Sequence, residues 1–210
     1  MGIRIISLLI GYAFGCVLTG EIVAKKLTGG SASGIGTTGN PGMANIMANL
    51  GFWPGLAVLA GDLAKCAAAC AAAGLLYGST GVLYAGLGCT LGHDYPFWRR
   101  FSGGKGVATS CLAFFLYHPL WGGLSSIIGM LTVFATQYLC IGAAVIPAAF
   151  TILCLASGHR EAAWVGIFCT VLSILRNIRS LKGIRSGETE KNDVPGAIAR
   201  AAAKIMKRKE

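Results

Sequence analysis

Two glycine-rich stretches hold most of the side chains able to do chemistry. The first, GGSASGIGTTGNPGMANIMANLG at 29–51, has far more Gly, Asn, Ser and Thr than a connector requires. Glycines let successive backbone N–H groups converge into an anion-binding concavity, and asparagine amides add neutral donors beside it. A phosphate site is the natural reading of this stretch; the alternative is a flexible loop. Gly34, Gly36 and Gly39 match GxGxxG, but no strand precedes them, so a dinucleotide fold is not expected. The second stretch, GHDYPFWRRFSGGKGVATS at 92–110, sets Lys105 among Gly103, Gly104 and Gly106. It is not a Walker sequence, since Gly106 follows the lysine. A lysine on a glycine turn that opens a helix at Val107 nevertheless puts a point charge beside free helix N–H groups. His93 is suited to acid–base work or to capping the preceding helix.

Between these stretches lie Asp62 and Lys65, three residues apart on one helical face in an Ala-, Leu- and Gly-rich run. At about 1.5 Å per residue the pair sits roughly 15 Å along a helix that starts near Phe52. Ionisable groups at that depth face protein or water and tend to pair. The pair either fixes packing or takes a direct part. His159, Arg160 and Glu161 resemble a catalytic cluster only in one dimension, because the charge pattern below puts them on the opposite face.

The elements that must position these residues are hydrophobic helices. The 210 residues are 54% hydrophobic and 12% charged, with a mean hydropathy of +0.65; a soluble domain carries about 25% charged residues. The chain therefore reads as one all-α membrane domain over 1–210, a bundle of about seven short helices with a basic tail from about residue 183. The apolar segments run at about 3–23, 52–77, 81–91, 107–117, 121–138, 141–157 and 162–175. The expected breaks include His118-Pro119, a glycine-alanine patch near Gly142, and 158–161. The first segment lacks an obvious cleavage site and is expected to be retained. The eight cysteines all fall in apolar stretches, so disulfides are not expected. Cys66 and Cys70 have no third ligand at metal-binding spacing, and neither a metal nor a cofactor is expected.

Lys and Arg accumulate on the cytoplasmic side of membrane proteins. With the N-terminus outside, 15 of the 18 fall inside, leaving Arg4 and Arg160 outside and Lys65 within a helix. An odd number of crossings satisfies this, and both glycine stretches then face the cytoplasm. The tail residues Lys204, Lys207, Arg208 and Lys209 suit contact with anionic headgroups. Membrane lipids are the expected surroundings, and no nucleic-acid partner is expected.

Four ordered stretches resemble the bacterial acyl-phosphate:glycerol-3-phosphate acyltransferase family (PlsY-type). These are Gly39-Asn40-Pro41-Gly42 with Asn45, Gly61-Asp62 with Lys65, Gly92-His93, and Gly103-Gly104-Lys105-Gly106-Val107-Ala108-Thr109. The resemblance implies a seven-helix enzyme of the bacterial plasma membrane that moves an acyl group from acyl phosphate to the sn-1 hydroxyl of glycerol 3-phosphate. The product would be lysophosphatidic acid, for phospholipid synthesis. On that view Asn40, Asn45 and Lys105 are catalytic. Thr38, Gly39, Gly42, Gly103, Gly104, Gly106 and Asn177 join Lys105 around phosphate, and Asp62, Lys65 and His93 support them.

The chain departs from the family in its first and third motifs. Ala48 stands where the family has an arginine, and the charged pair that precedes the first motif falls near Ala32 and Gly34. The third motif, His-Arg-x-Asn-Ile continuing to Gly-x-Glu, corresponds to ILRNIRSLKGIRSGETE at 174–190. One register puts Asn177 at the asparagine; the other puts Asn177 at the histidine and Ser180 at the asparagine. The histidine is absent in both, with Arg176, Arg179 and Arg185 as candidate replacements. These gaps keep two other readings open: a non-catalytic paralogue that binds a lipid phosphate, and a small transporter using Asp62 and Lys65.

Overall fold

The computed structural model describes residues 1–189 and residue 191. Its regular elements there are all helical: α1 (Gly2–Gly15), α2 (Thr19–Thr28), α3 (Met43–Leu50), α4 (Phe52–Asp94), α5 (Val107–Tyr117), α6 (Pro119–Thr136), α7 (Leu139–Ala156) and α8 (Arg160–Ser186). Short 3-10 turns occupy Ala32–Gly34 and Phe97–Arg99. α4 is two helices: Gly78, at φ 62° and ψ −149°, breaks it into arms 52–77 and 79–94. Counting those arms separately and α1 with α2 as one, seven apolar segments are present. By length and composition alone five stretches suffice to cross a membrane: Gly2–Thr28, Phe52–Arg99, Pro119–Thr136, Leu139–Ala156 and Arg160–Ser186. α5, with 11 residues, is about 17 Å long, shorter than the ~30 Å hydrocarbon core, yet it runs from the Lys105 turn, against Ser180 of α8, to His118 beside His159 at the opposite end of the bundle.

Four local expectations are corrected. The first segment is broken, not continuous: helix geometry lapses at 16–18, and the carbonyls this frees find partners from elsewhere. Trp98 Nε1 donates to Cys16 O at 2.7 Å and Lys65 Nζ to Val17 O at 2.7 Å, as an interrupted helix in lipid requires. The break between α6 and α7 is not at Gly142 but at Gln137, which ends α6 in the left-handed conformation at φ 63°. Gly142 lies inside α7, where a Cβ would overlap Val133. The first glycine stretch contains a helix, α3, after its loop. The basic segment after 175 continues α8 to Ser186 before Gly187 ends it at φ 76°. The residues Lys204, Lys207, Arg208 and Lys209 lie outside the described part of the chain.

Small residues decide how α1 meets the second arm of α4. Gly11 and Gly15 form one face of α1; Gly88 and Gly92 form the matching face of α4. A Cβ on Gly11 or Gly15 would overlap the carbonyls of Ala85 and Cys89, and one on Gly88 or Gly92 those of Leu8 and Tyr12. Backbones pack directly because lipid supplies no hydrophobic drive between helices and close contact must do so. Gly92→Ala is expected to cost about 1–3 kcal/mol, read as a drop of several degrees in the unfolding midpoint in detergent. An unchanged midpoint would mean the helices separate freely.

At the bundle's centre Phe114 of α5 stacks on Phe150 of α7, centroids 4.0 Å apart and planes 10° from parallel. All eight cysteines are free thiols. Two ends of the bundle are distinguishable by their contacts. One carries the Arg4–Glu161 ion pair at 2.6 Å and the His118–His159 pair. The other gathers the 29–42 loop, α3, the 95–106 loop and the last turns of α8.

Candidate active site

The 29–42 loop is organised by Asn45 at the start of α3. Both hydrogens of its amide are committed, to Ile35 O at 3.0 Å and Asn40 O at 2.9 Å. Its Oδ1 accepts from Thr38 Oγ1 at 3.0 Å and from Asn49 Nδ2 at 3.2 Å. Asn45 therefore shapes the loop and has no N–H left for a substrate. Asn40 differs: its Oδ1 takes the Gly42 N–H at 3.2 Å, and its amide nitrogen donates to no group among the described residues. Gly39, at φ 57°, makes the turn, and a Cβ there would come within 2.9 Å of Ser33 O.

The 95–106 loop folds back on the end of α4. The Gly103 N–H donates to Asp94 O at 3.0 Å and the Gly104 N–H to His93 O at 2.8 Å. These two amides are thus engaged within the protein, contrary to their expected place as phosphate donors. Their carbonyls are held from α8: Arg176 donates through Nη2 to Gly103 O at 2.8 Å, and through Nε and Nη2 to Gly104 O at 2.9 and 2.7 Å. The same guanidinium lies 5.0 Å over the Tyr95 ring. Arg176 is a fork gripping the turn that carries Lys105. Arg176→Met is expected to lower turnover about tenfold to thirtyfold without loss of folded protein, and Arg176→Lys to rescue little, since a lysine cannot reproduce the fork. Full activity in Arg176→Lys would contradict the fork.

Lys105 itself is half-buried, with Nζ donating to Ser180 Oγ at 3.3 Å. Burial holds its ammonium below the ordinary lysine range. The contact with Ser180 bears on the two registers of the third motif. Ser180 faces Lys105, whereas Asn177 is 1% exposed and donates to Ser173 O at 2.9 Å inside the bundle. That burial removes Asn177 from the expected phosphate-binding set. Arg179 and Arg185 are exposed on α8, and Arg176 is the arginine that reaches the Lys105 turn.

Gly106 begins α5 at φ 62° and covers a carboxylate. A Cβ there would lie 2.9 and 3.0 Å from the two oxygens of Asp94, a residue 1% exposed. Behind Gly104 sits His93, whose Nε2 would overlap a Cβ on that glycine. Its Nδ1 is 2.8 Å from Lys65 Nζ, which pairs with Asp62 Oδ1 at 2.8 Å. The supporting trio expected from the sequence is therefore one contiguous group, in contact with the Lys105 turn.

A bridge joins the two loops. Arg99 Nη2 is 2.7 Å from Glu21 Oε1, and Glu21 Oε2 accepts from Ser31 Oγ at 2.9 Å and the Ala32 N–H at 3.2 Å. This acid–base pair comes from α2 and the second loop, and it lies where the first motif's charged pair is missing at Ala32. Sequence reasoning missed it because its partners are 78 positions apart. Arg176's fork was equally hidden; its only sequence signal was a cluster of arginines. Among the described residues no group of three or more metal-ligating side chains comes together.

Comparisons with known proteins find relatives along nearly the whole chain. A family model described as glycerol-3-phosphate acyltransferase matches residues 5–187. The chain is 32% identical over 191 residues to glycerol-3-phosphate acyltransferase 1 of Lactobacillus johnsonii, covering 90% of this chain and 92% of that one. It is 28% identical over 190 residues to glycerol-3-phosphate acyltransferase of Thermoanaerobacter sp. strain X514, covering 89% and 94%. The crystal structure of PlsY (YgiH), an integral membrane glycerol 3-phosphate acyltransferase in its glycerol 3-phosphate form, superposes with a TM-score of 0.81 at 23% identity, covering 93% of this chain and 98% of that one. Its lysophosphatidic acid form gives 0.77, covering 90% and 94%.

Proposed function

The chain belongs to the glycerol-3-phosphate acyltransferase family, and from that premise we propose how its residues carry out the transfer. It is a multi-pass membrane enzyme that acylates glycerol 3-phosphate for phospholipid synthesis. The donor is acyl phosphate and the acceptor the sn-1 hydroxyl. The hydroxyl oxygen bonds to the acyl carbonyl carbon, the bond from that carbon to the phosphate oxygen breaks, and inorganic phosphate leaves with the hydroxyl proton. Lysophosphatidic acid remains.

The observation that carries this reading is the Lys105 turn, a cation held on a glycine hairpin by Arg176 and backed by the N-terminus of α5. Lys105 and the first N–H groups of α5 hold phosphate, with Gly106 allowing close approach. Asn40 Nδ2 serves the glycerol oxygens or the developing oxyanion, in a loop shaped by Thr38, Gly39, Gly42 and Asn45. Because acyl phosphate is already activated, positioning and charge stabilisation carry much of the rate, and a phosphate oxygen of the donor accepts the hydroxyl proton. The end carrying the glycine loops faces the cytoplasm of a bacterial plasma membrane, with the N-terminus outside and the C-terminus inside. The distribution of Lys and Arg supports that orientation.

Asp62 and Lys65 sit in a closed hydrogen-bonded group, 3% and 7% exposed. That argues against an ion-coupling role in a transporter.

The test uses purified protein in detergent with acyl phosphate and isotope-labelled glycerol 3-phosphate, reading lysophosphatidic acid by mass. Product with acyl phosphate but not with acyl-CoA is expected. Product with acyl-CoA alone would overturn the donor assignment, and no product with either would overturn the activity.

A further inference from the structure

Lys65 is placed unlike a residue that merely neutralises a buried carboxylate. Its ammonium has three N–H donors and no acceptor, and it meets three acceptors: Asp62 Oδ1 at 2.8 Å, Val17 O at 2.7 Å and His93 Nδ1 at 2.8 Å. The Val17 carbonyl is available because the first span breaks there. Asp62 is too far from the imidazole to bond it, with Oδ1 3.6 Å from Nδ1. Instead the carboxylate accepts from the Lys65 ammonium at 2.8 Å and from Thr19 Oγ1 at 3.3 Å. A charged lysine can only donate, so His93 Nδ1 must offer its lone pair and the ring proton must sit on Nε2. That edge of the ring abuts Gly104, beside Lys105.

We propose that Asp62 and Lys65 are positioning residues that lock His93 as the neutral imidazole with its proton on Nε2, making that N–H a further donor to the substrate phosphate at the Gly104–Lys105 turn. The lock stands on the contacts alone; the phosphate role rests on the function proposed above. Burying an ion pair carries a desolvation penalty that simple packing does not require. Fixing one of two tautomers at the edge of an anion site gives the pair a task. The lock also accounts for the third donor of Lys65, which neutralising Asp62 leaves unexplained.

The chain has three histidines, His93, His118 and His159, so nitrogen-15 labelling of histidine in the full chain reads the tautomer directly once His118→Gln and His159→Gln assign the signals. Wild type is expected to show His93 protonated on Nε2 alone. In Lys65→Met the nearby Asp62 becomes the partner of Nδ1 and draws the proton there. The nitrogen signature then changes, and kcat/KM for glycerol 3-phosphate falls about 10- to 100-fold. Because that variant leaves a lone buried carboxylate, Asp62→Leu/Lys65→Met provides a second route. It removes both charges, and it is expected to fold yet give a mixture of tautomers and reduced kcat/KM. His93→Gln, whose amide can still donate, is expected to retain more activity than His93→Ala.

A wild-type His93 protonated on Nδ1, or on both nitrogens, would overturn the lock. An active enzyme in which His93→Ala leaves kcat/KM unchanged would overturn the donor role. Wild type with the expected signature but no lysophosphatidic acid product would overturn the functional reading while leaving the lock standing.

Discussion

Lys105→Ala is expected to lower kcat/KM for glycerol 3-phosphate by about a thousandfold, roughly 4 kcal/mol of transition-state stabilisation. The size follows from the setting. Gly103 and Gly104 have their N–H groups committed to Asp94 and His93, so the turn has few backbone donors to substitute for the lost cation. Ser180, the residue Lys105 contacts, is neutral. Arg176 is already bonded to Gly103 O and Gly104 O and cannot swing in without releasing the turn. Lys105→Arg is expected to recover little, because the longer planar head displaces the phosphate in a half-buried niche. Activity of Lys105→Ala within tenfold of wild type would remove the lysine from the phosphate site.

A pH dependence accompanies this prediction. Burial lowers the Lys105 value from 10.5, so the neutral amine gains ground at a lower pH than in a free lysine. Phosphate binding needs the ammonium. The alkaline limb of kcat/KM is therefore expected to fall at a pH below 10.5 and to disappear in Lys105→Arg, whatever its remaining rate. A limb unchanged by Lys105→Arg would belong to another group.

Gly104→Ala is expected to lower turnover about a hundredfold, although it adds a single methyl. The new Cβ would overlap His93 Nε2, and neither side can move cheaply. The imidazole is held by Lys65, the Gly104 N–H is bonded to His93 O, and the Gly104 carbonyl is gripped by Arg176. Overpacking costs about 1–3 kcal/mol, and displacement of the neighbouring Lys105 by about an ångström costs a further large factor. Combining Gly104→Ala with His93→Ala separates the two contributions. If the clash is the cause, the double variant loses no more than His93→Ala alone; additive losses would point to a backbone cause instead.

Much of this protein was legible along the chain. Composition put it in a membrane, and the seven apolar segments from 3–23 to 162–175 correspond to helices because hydropathy acts locally and each crossing must satisfy its own backbone. The family was legible as well, since the glycines of 39–42 and 103–106 and the spacing from Asp62 to Lys65 are short-range patterns that survive divergence elsewhere. Local breaks were read less well. Gly142 looked like a breaker and instead serves close packing against Val133, while Gln137 supplies the turn; in lipid, small residues let helices approach closely.

What only the tertiary structure decided is how the polar residues divide their labour. Thr38, Asn40, Asn45 and Lys105 read alike as candidate substrate-binding groups in the sequence, and His93 as an acid–base or capping residue. The structure commits Asn45 to shaping its loop and leaves the amide of Asn40 open. Asn177 goes inward and Ser180 toward Lys105, a choice between two registers that helix periodicity settles only once α8 has neighbours. Glu21 finds Arg99 and Arg176 finds the glycine turn across 78 and 72 or more positions. The sequence by itself determined the membrane helices and the chemistry-bearing loops, because both are encoded in neighbouring residues. Which donors remain free for substrate was decided by hydrogen bonds between distant segments, and those exist only when the helices have packed.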